Sequence, residues 1–414
     1  MRLGRREFLV GSATFGAAFA TSRPVGAEEN WIELPMQNGK RPLLKYPQKR
    51  VMIVQSSRPA ILETPFEVFD DSDITPNDAF FVRWHEAGFP TSVDASSFRL
   101  NVHGLVKKPL SLSISDLRTQ FAAAEIVAVN QCSGNSRGLF NPRVAGGEWA
   151  NGGMGNARWK GVRLIDILKK AGVEAGAKQV SLHGLDHGVL PETPRFQKAF
   201  DVDVITANPD VLVAYEMNGE ALPLLNGFPL RLVVPGWFAT YWVKMLSDIE
   251  VIDHVDGNFW MATAYRIPDT PNNSVTPDQT GYKTIPINKM RVRSFVTNLQ
   301  NGEFISGLDK PDPMYPYRYS AEVRGIAFDG GSGIKMVEFS VDGGKSWTET
   351  KLGRDLGKYS FRRWTTRWTT RIGSGTHTLA CRATANNGEI QTNVAVWNPA
   401  GYLKNNIETY EVTV

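Results

Sequence analysis

Short apolar runs, rather than long amphipathic stripes, set the texture of this chain. FFVRW (80–84), FRLNVHG (98–104), EIVAVNQC (125–132), QVSLHG (179–184), VLVAYEM (211–217) and LRLVVPG (230–236) are rich in Val, Ile and aromatics. Gly, Pro or Asn bounds many of them, and that pattern predicts strands. Convincing helices are few. Ser115-Asp116-Leu117 opens one, and LIDILKKAGV (164–173) is amphipathic and stops near Gly172. Strands and helices do not alternate strictly, so a doubly wound sheet is not expected. Residues 28–60 are mixed and Pro-rich, which predicts an extended arm.

The texture changes beyond PDTPNNSVTPDQTGYKTIP (268–286), a Pro/Asn/Thr-rich stretch that reads as a long connection. Short strands with turn signals then run to the C-terminus, with Asp342-Gly343-Gly344 and Asn386-Asn387-Gly388 among the turns. Spacing of this kind predicts a β-sandwich. The expectation is therefore an α+β chain in three parts: a leader at 1–27, a mixed α/β domain at 28–283 and a sandwich at 284–414.

Composition alters the picture at the N-terminus. The formal net charge is +4, and Arg2, Arg5, Arg6 and Arg23 against Glu7 carry most of it. A basic start, a short apolar stretch of small residues and Val25-Gly26-Ala27 form the grammar of an export signal. Arg5-Arg6 followed by Glu7-Phe8-Leu9 predicts the twin-arginine route, hence a periplasmic protein exported already folded. Without the leader the chain is nearly neutral, so nothing in its charge favours nucleic acid or an anionic membrane. No later stretch is long and apolar enough to predict a membrane span.

The candidate chemistry starts from two cysteines. Cys381 falls inside a predicted sandwich strand, LACRA, and reads as a small core residue. Cys132 ends an apolar run and opens a loop of small residues, CSGNSRG, that closes on Arg137. It is open to four readings: packed thiol, half of a disulfide, nucleophile or metal ligand. No Cys-x-x-Cys and no haem-attachment motif is present. Elsewhere cations recur beside aromatics, as in Arg83-Trp84-His85, Arg158-Trp159-Lys160, Trp242-Val243-Lys244 and Tyr265-Arg266. Such a set, with Glu86 the one carboxylate directly beside it in sequence, suits an anionic ligand such as phosphate, sulfate or sulfite.

Several stretches together resemble the sulfite oxidase family of molybdenum enzymes. They are FFVRWH, QCSGNSRG, EW (148–149), ARWKGVRLIDIL, AYEMNG…LPLLNGFPLRLVVPG, VKML and AYR, followed in the second domain by SVDGGKSW, CRATANNG and VWNPAGYL. Within the family, the nearest likeness is to catalytic subunits of bacterial periplasmic sulfite dehydrogenases. The resemblance implies a molybdenum-cofactor domain followed by an immunoglobulin-like domain used for dimerisation. It implies one molybdenum–molybdopterin per chain, no haem, sulfite as substrate and a c-type cytochrome as electron acceptor.

By the same resemblance Cys132 is the protein ligand to molybdenum, and soft thiolate suits that metal. Arg83 and Arg137 hold the substrate anion, Trp149 walls the pocket, and Tyr265 lies beside the metal. His85, Arg231 and Lys244 contact the cofactor, as do Asn226 and Asp186. Two positions depart from the animal enzymes: Asn226 replaces a histidine and Ala400 an arginine. Methionine-sulfoxide repair reductases resemble the first domain only. Two further classes are a cysteine hydrolase using Cys132 and His85 and a non-catalytic anion-binding protein.

Overall fold

The structure is a computed structural model that describes residues 31–34, 39–305, 311–312, 314–394 and 396–414. The expected export signal at 1–27 lies outside the described residues. Three sheets build the first domain. One is an antiparallel meander from Trp31–Leu34 through Gly39–Lys45, Val51–Ser57 and Ala60–Glu63 to Val82–Arg83. Residues 46–60 are thus not a free arm. Met52, Ile53 and Ala60 are buried, and that apolar surface holds the meander onto the domain.

The second sheet runs Gln197–Asp201, Gln179–Gly184, Leu246–Ile252, Leu100–Gly104, Leu110–Leu112, with one parallel pair at its centre. The third runs Glu220–Ala221, Leu212–Met217, Met154–Arg163, Ala123–Gln131, with Arg231–Val233 added beside Leu212–Met217. Its longest strand, Met154–Arg163, escapes the apolar-run reading because Gly155, Gly161 and three cations interrupt it. Those glycines let neighbours close in. A Cβ on Gly161 would stand 2.1 Å from the Val213 carbonyl oxygen of the adjacent strand.

Helices are short, as expected. The first predicted one starts earlier than Ser115, because Ser113 caps Ile114–Gln120 in a reciprocal box with Asp116. The second, Leu164–Ala171, ends at Gly172 in a left-handed conformation. Among the described residues no helix is long and apolar enough to cross a membrane.

Two five-stranded sheets form the second domain. Arg293–Val296, Tyr315–Phe328, Arg362–Arg371 and Lys351–Leu352 lie in one; Thr409–Thr413, Thr376–Ala385 and Ile334–Ser340 centre the other. Val323, Val337, Trp364, Trp368, Leu379, Cys381 and Val412 pack between them. The Pro-rich connection is pinned rather than loose, since Arg266–Pro268 pairs with Thr284–Pro286 across it. Both cysteines are free thiols.

Candidate active site

The strand Ala123–Gln131 delivers Cys132 to its end, where the chain turns into a tightly stitched loop. The Cys132 amide donates to the Gly153 carbonyl at 2.8 Å, Ser136 to that of Ala150 at 2.7 Å, and Gly138 to that of Trp149 at 3.0 Å. The Asn135 side chain accepts from the Gly153 amide at 2.8 Å. Ser136 sits at a left-handed φ of 67°, as do Met245, Tyr265 and Leu403 nearby, at 49°, 58° and 64°. Left-handed backbone outside glycine costs about 1–3 kcal/mol and gathers where geometry is held for function.

Cys132 separates two cavities. The inner one is lined by Arg83, His85, Ser133, Asn226, Arg231, Thr240 and Lys244 among others. The outer one is lined by Arg137, Trp149, Tyr402, Ala400 and the small residues Gly134, Ala145, Gly146 and Gly147. Arg83, Cys132 and Tyr265 line both. No carboxylate lines either one among the described residues.

The inner chamber is a buried cationic cell. Arg231 is 4% exposed and lies over the rings of Trp159 and Trp242, at 5.4 and 5.9 Å. Burial pulls its guanidinium down to about 9. Lys244 lies 4.5 Å over Trp84, and burial, reinforced by Arg231, pulls it down to about 7. His85 is held well below its ordinary value by burial and by Arg83, Lys244 and Lys198, so it is neutral. Its Nε2 is 2.5 Å from the Tyr265 hydroxyl, and its Nδ1 has no partner among the described residues. Ser133 Oγ and Arg231 Nε are likewise buried without partners. Orphaned donors and uncompensated cations are costly in a protein interior unless an anion with many acceptors completes them.

The outer chamber is built around one guanidinium. Arg137 Nε donates to the Ala400 carbonyl at 3.1 Å, and its carbon lies 5.2 Å from the centre of the Tyr402 ring. A Cβ on Gly134, Gly146 or Gly401 would come within 2.5, 2.7 or 2.7 Å of that side chain, so glycines from three loops shape its slot. Two of the loops, at 134 and 146, belong to the first domain and the third to the second. Arg293, from the first sandwich strand, donates to Ser136 Oγ at 2.7 Å and to Glu408 at 2.7 Å, which ties the Cys132 loop to the second domain.

Nine of the ten sequence-predicted residues line one chamber or both: Arg83, Cys132 and Tyr265 are shared, His85, Asn226, Arg231 and Lys244 are inner, Arg137 and Trp149 outer. Asp186 lines neither. It is buried near enough to Lys244 to feel its charge, and burial raises its carboxyl despite that cation. The Asn226 side chain accepts from Lys49 Nζ at 2.5 Å and donates to the Phe81 carbonyl at 3.0 Å. Its own carbonyl accepts from Arg231 at 3.0 Å, so Asn226 braces that cation. Other cations of the aromatic theme fall outside: Arg158 pairs with Glu125 at 2.8 Å and Lys160 with Glu216 at 3.5 Å. Sequence reasoning missed Ser133, Thr240, Lys49, Lys198 and Tyr402. Only Ser133 and Tyr402 lay inside motifs already singled out.

Comparison with known proteins agrees with this geometry. Residues 86–260 match the oxidoreductase molybdopterin binding domain, and residues 284–414 the Mo-co oxidoreductase dimerisation domain. Sulfite oxidase of Gallus gallus is 32% identical over 365 residues, covering 84% of this chain and 75% of the chicken protein. The chain belongs to the sulfite oxidase family. Mitochondrial sulfite oxidase of Homo sapiens is 31% identical over 370 residues, 85% of this chain, and the alignment spans only 64% of the human protein. The crystal structure of the sulfane dehydrogenase SoxCD from Paracoccus pantotrophus superposes with a TM-score of 0.69 at 25% identity, covering 86% of this chain and 85% of that one.

The residues of this family member fit a molybdenum–molybdopterin group. Among the described residues no three His, Cys, Asp or Glu side chains converge into a metal cage. A metal beside Cys132 would therefore draw its other donors from an organic ligand, as a dithiolene provides. The inner cations and orphaned donors suit that ligand's phosphate and ring heteroatoms.

Proposed function

We propose that this chain oxidises sulfite to sulfate at a molybdenum centre in the periplasm and passes the electrons singly to a c-type cytochrome. The observation that carries this reading is the arrangement around Cys132: a buried cationic cell on one side and an arginine-lined anion pocket on the other, with only Cys132, Arg83 and Tyr265 shared. Cys132 would ligate the metal, and Arg231, Lys244, His85 and Ser133 would hold the pterin. When bound, the cofactor supplies the two-electron redox change and the oxygen atom that sulfite gains; water restores that atom.

The protein's own residues supply the field and the proton handling. Arg83 and Arg137 attract the sulfite dianion and hold its oxygens, in a pocket where low dielectric strengthens each contact. Conversion of sulfite and water to sulfate releases two protons with the two electrons. The Tyr265 hydroxyl, 2.5 Å from neutral His85, would donate to or relay a proton along that contact at the edge of the site. Burial keeps the Tyr265 phenol protonated at neutral pH. Cys132 has no histidine within hydrogen-bonding reach among the described residues, so a hydrolase dyad with His85 lacks its central contact.

No haem-attachment motif is present, so the electrons would go to a separate haem protein. Pairing of two chains through residues 284–414 is supported by their match to the dimerisation domain. Export by the twin-arginine route rests on Arg5-Arg6.

Metal analysis of purified protein with a sulfite-dependent cytochrome c reduction assay tests the reading. About one molybdenum per chain and sulfite-dependent reduction are expected, in line with a single ligating cysteine. Metal-free protein, or loaded protein blind to sulfite, would sink it. A second reading, oxidation of a sulfane sulfur, is favoured by the likeness to SoxCD and by the small residues Ala145, Gly146, Gly147 and Ala400 in the outer wall. Turnover of thiosulfate or polysulfide in preference to sulfite would select it.

A further inference from the structure

Ala400 removes a side-chain cation from the outer chamber, yet the loop that carries it brings Tyr402 to the same wall. Tyr402 is 9% exposed. Its ring lies parallel to that of Tyr265, at 5.6 Å and 5°, and under the Arg137 guanidinium at 5.2 Å. Its backbone is clamped by Asn398, whose amide accepts from the Tyr402 N–H at 3.1 Å and donates to its carbonyl at 2.9 Å. Leu403 follows at a left-handed φ of 64°, which fixes the turn of the chain after Tyr402. This ordering is spent on a phenol whose hydroxyl has no hydrogen-bond partner among the described residues. Burial, with Tyr265 alongside, raises that hydroxyl, so it stays protonated and acts as a donor.

Both guanidiniums are partly committed to the fold, and they need not be the only donors to a bound oxyanion. Arg137 spends Nε on the Ala400 carbonyl and Arg83 spends one nitrogen on the Trp84 carbonyl at 3.0 Å. A three-oxygen anion with several lone pairs per oxygen has acceptors to spare. We propose that Tyr402 is a substrate-binding residue of the outer chamber, its hydroxyl donating to the oxyanion that Arg83 and Arg137 hold. This rests on the reading of the outer chamber as the sulfite pocket. It makes the second domain a contributor to substrate recognition through a neutral donor in place of a charge.

Tyr402→Phe tests the proposal, because it keeps the ring against Tyr265 and Arg137 and removes only the hydroxyl. Two readouts are needed on molybdenum-loaded protein: steady-state sulfite oxidation, and calorimetric titration with sulfate as a probe of the anion pocket. A hydrogen bond to a charged group predicts a rise of about tenfold in KM and in the sulfate Kd. Molybdenum content and kcat should stay within about twofold. Unchanged KM and Kd, or a fall in kcat alone, would overturn it. If wild-type protein binds sulfate but does not oxidise sulfite, the functional reading fails while the titration still decides Tyr402. If it oxidises sulfite but binds no sulfate, the functional reading stands and the KM comparison alone decides Tyr402.

Discussion

The two chambers on either side of Cys132 share arginine chemistry but are built differently. The inner one buries Arg231 and Lys244 almost completely, braces them on tryptophan faces and has no carboxylate in its lining. Its electrostatic debt is large and permanent, which suits a ligand that stays bound. The outer one is rimmed by exposed Ala145 and Gly146 and holds a single additional cation, Arg137, in a slot of glycines. A ligand that must leave after each turnover needs attraction without a deep well. Depth of burial and the glycines of the outer wall separate the proposed cofactor cell from the proposed substrate pocket.

Substitutions can break that contrast. Cys132→Ser strikes the shared wall, and turnover should fall by about 10³-fold or more while the thermal melt of the cofactor-free protein barely moves. Arg231→Met should act on the inner chamber alone. Molybdenum retained through purification falls by about 30-fold or more, since a desolvated phosphate partner is lost. The cofactor-free protein should nevertheless melt higher, because an uncompensated buried charge is gone, worth about 1–4 kcal/mol. Loss of stability in that variant would contradict the picture of an indebted cell.

Arg137→Gln should do the reverse. Molybdenum content stays at the wild-type level and KM for sulfite rises about 10- to 100-fold, as for a lost charge-assisted contact. Loss of metal in this variant would merge the two chambers into one site.

Lys198 lines neither chamber, and its effect is read in stability rather than in cofactor or substrate binding. It is fully buried, donates to the Trp260 carbonyl at 2.6 Å and lies 5.3 Å from the Tyr265 ring centre. Burial pulls it from 10.5 down to about 7. Between those values the unfolded chain binds a proton that the folded protein does not, so the cost of burying Lys198 is full below pH 7 and is relieved as pH rises toward 10. Lys198→Met should therefore gain most over wild type at pH 6. That advantage should shrink by up to about 1.4 kcal/mol per pH unit above 7, read from denaturation curves of cofactor-free protein.

Much of this architecture was legible residue by residue. Runs such as Gln179–Gly184 and Leu212–Met217 announced strands because apolar, β-branched positions cluster there. Met154–Arg163 did not, because its glycines and cations make sense only beside the strands they admit. The two cysteines show the same divide. Cys381 was readable as core; it is 1% exposed, accepts from Ser294 at 3.4 Å, and burial pushes its thiol up to about 12. For Cys132 local sequence left four roles open, and family resemblance pointed to one.

By itself the sequence determined the strand-rich texture, the break near 268–286 and the membership of Cys132, Arg83, Arg137, Arg231, Lys244 and Tyr265 in one chemical set. Each of these depends on residue type and order alone. Only the tertiary structure decided which cations would be buried in a cell with no carboxylate in its lining, that Asn226 braces Arg231, and that Tyr402 would reach the outer wall. Those outcomes depend on desolvation and on contacts between residues more than a hundred positions apart. Neither quantity is written in any local stretch of chain.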